Sequence, residues 1–359
     1  MKVGVVGVGL IGGSIGLAAR QRLDATVTGF DSDAATLRRA VEQGAIDEAA
    51  TSVADAAQDA ELVFCAAPVA ALPGIAGEAL AAAGPETVVT DVGSTKREIV
   101  AALGADQRFI GGHPLAGAET SGVENARAEL LEGSRWYLTP TSDSGGVLYD
   151  RLQRAIADLG ARPQAIDPAE HDELMATVSH LPHVIANVLV NHAASTLAQS
   201  SERMPEAGPS LRDSTRVAGA NPRIWGDIFS SNSEALATAI DAAVKRLQQA
   251  SELIRSGDRD AVSEWHRGAA EDRRTLLESE LEGGVLREVR VVVPNQPGIV
   301  AELALALGRV GVNIEDMALH PAADMRSGAV SLWVAGDEQA QRAVGLVREL
   351  GYGVTVETG

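Results

Sequence analysis

An α/β fold in three parts is what this sequence predicts: a doubly wound parallel sheet over residues 1–167, an all-helical stretch over 168–283 and a βαββαβ module over 284–359. Three observations predict it. Short β-branched runs alternate with helical periodicity in the first part, the pattern of a parallel sheet with crossover helices. The loop Gly7-Val8-Gly9-Leu10-Ile11-Gly12 stands directly between the first such run and the first helical pattern, the context in which G-x-G-x-x-G binds a dinucleotide. Strand signals then vanish after Asp167-Pro168 and return only beyond Gly283-Gly284, which reads as a hinge.

Composition bounds the function. The 359 residues suit two or three domains, and 45% hydrophobic residues suffice for their cores. A net charge of −19 argues against nucleic acid as a partner, because phosphate binding needs clustered cations. No uninterrupted apolar run approaches the ~18 residues of a membrane span. No charged-then-apolar leader precedes the first strand, so no signal peptide is expected. The single Cys65 sits in an apolar run and reads as a core residue; with no disulfide framework possible, a reducing cytoplasm is expected.

Taken in order, residues 2–7 form a β-branched run that breaks into the glycine motif Gly7–Ser14, and a helical pattern follows through Leu17 to Leu23. Gly7 permits a tight turn, Gly9 lets the backbone approach a pyrophosphate, and Gly12 allows close helix–strand packing. Leu10 and Ile11 count with these glycines as cofactor-binding, and the unpaired N–H groups of the helix start make an anion site. The second strand ends in Asp31, where a carboxylate accepts from ribose hydroxyls and repels a 2′-phosphate, favouring NAD over NADP. Helices at 34–43 and 72–83 and strands at 61–66 and 87–92 continue the alternation. The run Asp91-Val92-Gly93-Ser94-Thr95-Lys96 leads into a helix through Leu103; Ser94 suits an N-cap, or a hydroxyl at a strand's carboxyl end. Next, Arg108-Phe109-Ile110-Gly111-Gly112-His113 is a buried strand that delivers one imidazole to the edge where open α/β sheets bind ligands. A lone histidine there can equally be structural. A strand at 136–139, a helix at 147–159 and a strand at 162–166 close the sheet.

The helical part starts at Asp167-Pro168-Ala169-Glu170, with proline first and acids in the first turn. Within it, His180, His183, Asn187 and Asn191 share one face at helical spacing, and Pro182 is expected to kink the helix. Two histidines three apart hint at metal, but no third or fourth ligand stands nearby, and no metal site is expected. Residues 200–210 read as a loop. Arg212, Arg216 and Arg223 form a cationic cluster in an acidic chain, suited to carboxylates or to pairing with Asp213 and Asp227. The tail reads strand 286–293, helix 299–310, strands 312–319 and 329–335, helix 338–350 and strand 353–357, a ferredoxin-like order without a catalytic constellation.

Five motifs together resemble the prephenate dehydrogenases of tyrosine biosynthesis over essentially the whole chain: the glycine loop through Ser14, Asp91–Lys96, Gly112-His113-Pro114-Leu115-Ala116-Gly117, Ser179-His180-Leu181-Pro182-His183 and Arg212-Asp213-Ser214-Thr215-Arg216. The tail resembles an ACT domain, whose small-ligand signature is similar to Asn295-Gln296-Pro297-Gly298 and Val312-Asn313-Ile314. The resemblance implies NAD-dependent oxidative decarboxylation of prephenate to 4-hydroxyphenylpyruvate. It implies His113 as proton acceptor, with a pKa suited to neutral pH, and Ser94 orienting it and the nicotinamide. Arg216 is implied as a carboxylate clamp, His183 as a further substrate contact, and Glu119 and Asp213 as positioning groups. It further implies a homodimer built through the helical domain, and tyrosine as an effector held near Asn295, Gly298, Asn313 and Ile314. Two rival readings remain, an arogenate dehydrogenase and a nucleotide-binding amino-acid sensor without turnover.

Overall fold

The computed structural model describes residues 1–117, 120–199, 208–278, 286–294, 296, 299–314, 316–321 and 327–357. They form two compact units, Met1–Arg246 and Leu247–Gly359.

The first unit is built on an eight-stranded sheet. Its strands are β1 (Lys2–Val6), β2 (Thr26–Phe30), β3 (Glu48–Ala49), β4 (Leu62–Cys65), β5 (Val88–Asp91), β6 (Phe109–Pro114), β7 (Arg135–Thr139) and β8 (Arg162–Ala165). The order is β3-β2-β1-β4-β5-β6-β7-β8, with every pair parallel except β6–β7. The first six strands thus follow the 3-2-1-4-5-6 order of a Rossmann-type sheet, with its switch point between β1 and β4. Helices α1 (Leu10–Arg22), α2 (Ala34–Glu42), α3 (Val53–Ala57), α4 (Leu72–Ala82), α5 (Arg97–Leu103) and α6 (Gly146–Asp158) connect them. Neither β3 nor α3 was legible in the sequence: two strand residues and a five-residue helix are too short to show a period.

Alternation decides which face each strand residue serves. Leu62 and Phe64 join the core around Ile15, Trp136 and Leu152, while Val63 and Cys65 join the core around Leu72, Ile99 and Phe109. Both faces of β4 and β5 are buried, as a sheet covered by helices on each side requires.

After β8 the Asp167 side chain accepts the N–H groups of Ala169 and Glu170 and caps α7 (Pro168–Met175). The helix does not stop at Pro182. It widens into a π-turn over Ala176–His180, where Leu181 N–H bonds Ala176 O, and continues as α8 (Leu181–Gln199). Residues Pro168–Thr196 form a helical run of 29 residues in which one 18-residue window reaches a mean hydropathy of 1.2, enough to cross a membrane by length and composition only. His171, Asp172, His180 and His183 interrupt it, so no uninterrupted apolar run approaches the length of a span. Helices α9 (Pro209–Thr215), α10 (Pro222–Ser231) and α11 (Ser233–Ser256) follow.

The second unit contains α12 (Arg259–Glu278), β9 (Leu286–Pro294), α13 (Ile299–Arg309), β10 (Asp316–Pro321), β11 (Ser327–Ala335), α14 (Gly336–Glu349) and β12 (Gly353–Glu357). Its antiparallel sheet has the order β10-β11-β9-β12. That is the βαββαβ topology expected, with Val289, Val291, Leu303, Leu307, Leu332 and Val347 in its core. Residues 312–314, expected as strand, are irregular instead; Val312 is nevertheless buried.

Candidate active site

The carboxyl ends of β1, β4, β5 and β6 lie side by side, so the loops that leave them share one edge of the sheet. At β1, Gly7 has φ +91°, and a Cβ there would run into the Ala66 carbonyl. A Cβ on Gly12 would meet the Gly7 carbonyl, whereas Gly9 faces open space. Each glycine does what its position in the motif predicts: turn, close packing, and an open approach to the N-terminus of α1. Leu10 and Ile11 are half-buried in the first turn of that helix. Asp31, at the end of β2, accepts the Val8 N–H at 3.0 Å and the Asp33 N–H at 2.9 Å. It therefore braces the glycine loop from the end of β2. These residues fit a dinucleotide.

One buried carboxylate organises the next two strand ends. Asp91 accepts the N–H of Gly93 at 2.7 Å, the N–H of Gly112 at 3.1 Å and the ammonium of Lys96. The Ser94 turn and the His113 strand are thereby tied to one group. Lys96 is fully buried, and desolvation lowers its pKa against the pull of Asp91. Ser94 does not cap α5. Lys96 occupies the N-cap position, and the cap comes from the helical segment: Asp172 accepts Lys96 N–H at 2.7 Å and Arg97 N–H at 2.9 Å.

His113 is 9% exposed at the end of β6. Its Nδ1 lies 2.9 Å from His171 Nε2, and His171 Nδ1 lies 2.8 Å from Asp172 Oδ1. His171 also meets Tyr137 edge to face at 5.7 Å. The pKa of His113 is held well below its ordinary 6.5, by burial first and then by His171, Lys96 and His180. It is thus neutral at neutral pH, as a proton acceptor must be.

His113 and Ser94 line a cavity of about 440 Å³ whose opposite wall is Met175, Val178, Ser179, His180, Trp225 and Ile228. Its volume suits a small organic acid. His183 stacks on Trp225 with ring centroids 3.4 Å apart, and its Nδ1–H donates to Ser179 O at 3.0 Å. Asn232 Nδ2–H donates to Asp172 O at 2.7 Å and to His180 Nδ1 at 3.1 Å. Arg216 is exposed at the start of a turn that packs against α8, and its charge acts on His183. Asp213 is exposed on α9. Asn187 and Asn191 are exposed too, so the expected polar stripe divides: His180 is buried, His183 half-buried, and the asparagines face outward. Glu119 lies outside the described residues, as do Asn295 and Gly298; Asn313 is exposed and Ile314 half-buried in the irregular stretch before β10. Cys65 is a buried core residue, and burial pushes its thiol pKa up. Among the described residues, no three His, Cys, Asp or Glu side chains gather as a metal site.

Known proteins match this arrangement in both of its halves. A family profile described as the prephenate dehydrogenase nucleotide-binding domain covers residues 15–164, and one described as the prephenate dehydrogenase dimerization domain covers residues 167–267. The chain belongs to the prephenate dehydrogenase family. A prephenate dehydrogenase of Bacillus subtilis is 28% identical over 350 residues, covering 94% of this chain and 93% of the relative. The crystal structure of an Aquifex aeolicus prephenate dehydrogenase with hydroxyphenyl propionate and NAD+ is 32% identical. It superposes with a TM-score of 0.71 and covers 77% of this chain and 98% of its own. A Synechocystis arogenate dehydrogenase structure is 28% identical, with a TM-score of 0.67 and coverage of 77% and 100%. As a prephenate dehydrogenase family member, the chain is an NAD-dependent oxidoreductase.

Sequence reasoning named His113, Ser94, His183 and Arg216 as candidates; it did not name His171, Asp172, Asn232 or Trp225, which the structure brings to His113, His180 and His183. Asp172 looked like one more acid near a helix start. The adjacent His171 carried a signal, an imidazole one residue from a carboxylate, but nothing in one dimension aims it at His113.

Proposed function

We propose that this chain converts prephenate to 4-hydroxyphenylpyruvate, carbon dioxide and NADH. The observation that carries the reading is His113: a neutral imidazole at a strand's carboxyl end, with Nδ1 engaged by His171 and the ring on a cavity at the same edge of the sheet as the dinucleotide loop. Gly7, Gly9, Leu10, Ile11, Gly12 and Asp31 hold NAD, which supplies the hydride acceptor. Hydride leaves the ring carbon bearing the hydroxyl, and His113 Nε2 takes the hydroxyl proton. Carbon dioxide departs as the ring aromatises, and the proton returns from His113 to the same oxygen. The depressed pKa of His113 favours that return. Ser94 orients His113 and the nicotinamide, Arg216 clamps a substrate carboxylate, and His183, steadied by Trp225, contacts the substrate. Glu119 and Asp213 help to position these groups.

Incubation with NAD and either prephenate or arogenate, following NADH absorbance, tests the reading. NADH from prephenate is expected; none from prephenate would overturn it. The Synechocystis relative favours the second reading, arogenate, which NADH from arogenate alone would establish.

The C-terminal βαββαβ module is read as an ACT domain that binds tyrosine near Asn295, Gly298, Asn313 and Ile314 and lowers activity. A homodimer is supported by the dimerization-domain match and by exposed Val178, Ile185 and Val188 on the long helix. A second copy covering that apolar face accounts for its hydropathy without a membrane. A single buried cysteine suits a cytoplasmic enzyme.

A further inference from the structure

We infer that His171 and Asp172 act as a positioning dyad that holds His113 in the Nδ1–H tautomer and so leaves Nε2 bare toward the cavity. The inference rests on the reading of His113 as the base, and it assigns work to two residues outside the reacting atoms.

The argument is a proton count. Both oxygens of Asp172 are committed as acceptors, Oδ1 to Lys96 N–H at 2.7 Å and Oδ2 to Arg97 N–H at 2.9 Å. Asp172 Oδ1 also lies 2.8 Å from His171 Nδ1, so the ring nitrogen must donate there. A neutral His171 then has a bare Nε2. That atom is 2.9 Å from His113 Nδ1, which must in turn be the donor. His113, also neutral, carries its one proton on Nδ1 and presents a lone pair on Nε2.

The count fails only if His171 is a cation, because it would then donate to His113 and leave the proton on Nε2. Several features oppose that. His171 is fully buried, and burial lowers its pKa despite the hydrogen bond to Asp172; the Lys96 cation adds to the lowering, while Asp91 and Asp172 oppose it. Tyr137 and His113 supply its ring contacts. Asp172 stays ionised: desolvation raises its pKa, but bonds from His171, Arg97 N–H and Lys96 N–H outweigh it.

The same dyad serves the second half of the step. When His113 accepts the substrate proton, its Nδ1–H already points along a chain that ends in a carboxylate, which stabilises the imidazolium. No proton needs to move along that chain. Asp172 also caps the helix that follows the Ser94 turn, and Asn232 anchors its carbonyl at 2.7 Å. One acid therefore fixes the base's tautomer and the neighbouring hydroxyl's turn.

Nitrogen-15 histidine spectra of the full, substrate-free protein test this, with His113 assigned by comparison with His113→Gln. Wild-type His113 is expected to be protonated on Nδ1 and bare on Nε2 at neutral pH; a proton on Nε2 overturns the proposal without any variant. In His171→Phe, which keeps a ring but no nitrogen, the His113 proton should redistribute to Nε2. There kcat should fall by about 10²- to 10⁴-fold, the range of a general base, with NAD affinity nearly unchanged. A folded His171→Phe with wild-type kcat and an unaltered His113 tautomer also overturns it. If His113→Gln itself retains turnover, the base reading fails instead, while the tautomer result still reports on the dyad. If His171→Phe does not fold, the wild-type spectrum alone decides.

Discussion

His113 needs to be neutral before it can accept a proton, and its surroundings arrange that by removing water and placing Lys96 nearby. The acid limb of kcat/KM, which reports the free enzyme's base, should therefore lie below pH 6.5, with activity flat from there to neutrality. A limb centred above 6.5 would show that the site is more hydrated than its packing implies. His113→Asn should lose most turnover while binding NAD almost as tightly, measured by NAD titration. Beneath His113, Lys96 and Asp91 form a fully buried ion pair. Removing one partner strands a charge, so Lys96→Met should cost about 3–5 kcal/mol, read from denaturant unfolding. A loss below ~1 kcal/mol would mean that the Asp91 bonds to Gly93 and Gly112 suffice to stabilise its charge.

Elements are where local rules and the site meet. Pro182 has no N–H for the carbonyl of Val178, and its ring crowds that carbonyl. The sequence predicts a kink at Pro182; just before it the chain inserts a π-turn over Ala176–His180, which changes the angular relation of residues on either side. That is why His180 turns inward to Asn232 while His183 stacks on Trp225, a division no uniform 3.6-residue period describes. At the end of β1, the α1 loop leaves no room for a side chain at Gly12. Gly12→Val should push the loop off its path and weaken NAD binding by more than about tenfold, at least ~1.4 kcal/mol; unchanged affinity would remove the close contact with Gly7 from the cofactor site.

At the scale of the molecule, burying several neutral imidazoles has a thermodynamic signature. His113, His171 and His180 are all held below 6.5, His180 at about 4. As pH falls, the unfolded chain binds those protons first, so this stability is complete above 6.5 and drains away toward pH 4. His180 alone, at about 4, contributes on the order of 3 kcal/mol. Thermal melting across that window should show a falling Tm; a flat Tm would contradict neutral burial. In the second unit, the proposed reading as an ACT domain predicts inhibition by tyrosine that Asn313→Ala blunts while basal turnover stays intact, measured by inhibition curves of the full chain. An unaltered curve would place the effector elsewhere.

The sequence by itself determined the βα alternation, the glycine loop with Asp31, the strand that ends in His113 and the βαββαβ tail. Each of these is a local or periodic feature: turn geometry, a period of 2 or 3.6, an acid at a set spacing. Tertiary structure decided that His171 and Asp172 meet His113, that Asp172 caps α5 in place of Ser94, and that Lys96 is buried against Asp91. Those partners lie 58, 76 and 5 residues apart, and even the nearest pair depends on burial that only packing creates. Proton position is set by an unbroken chain of donors and acceptors, and such a chain exists only once the helix from Pro168 has docked on the sheet.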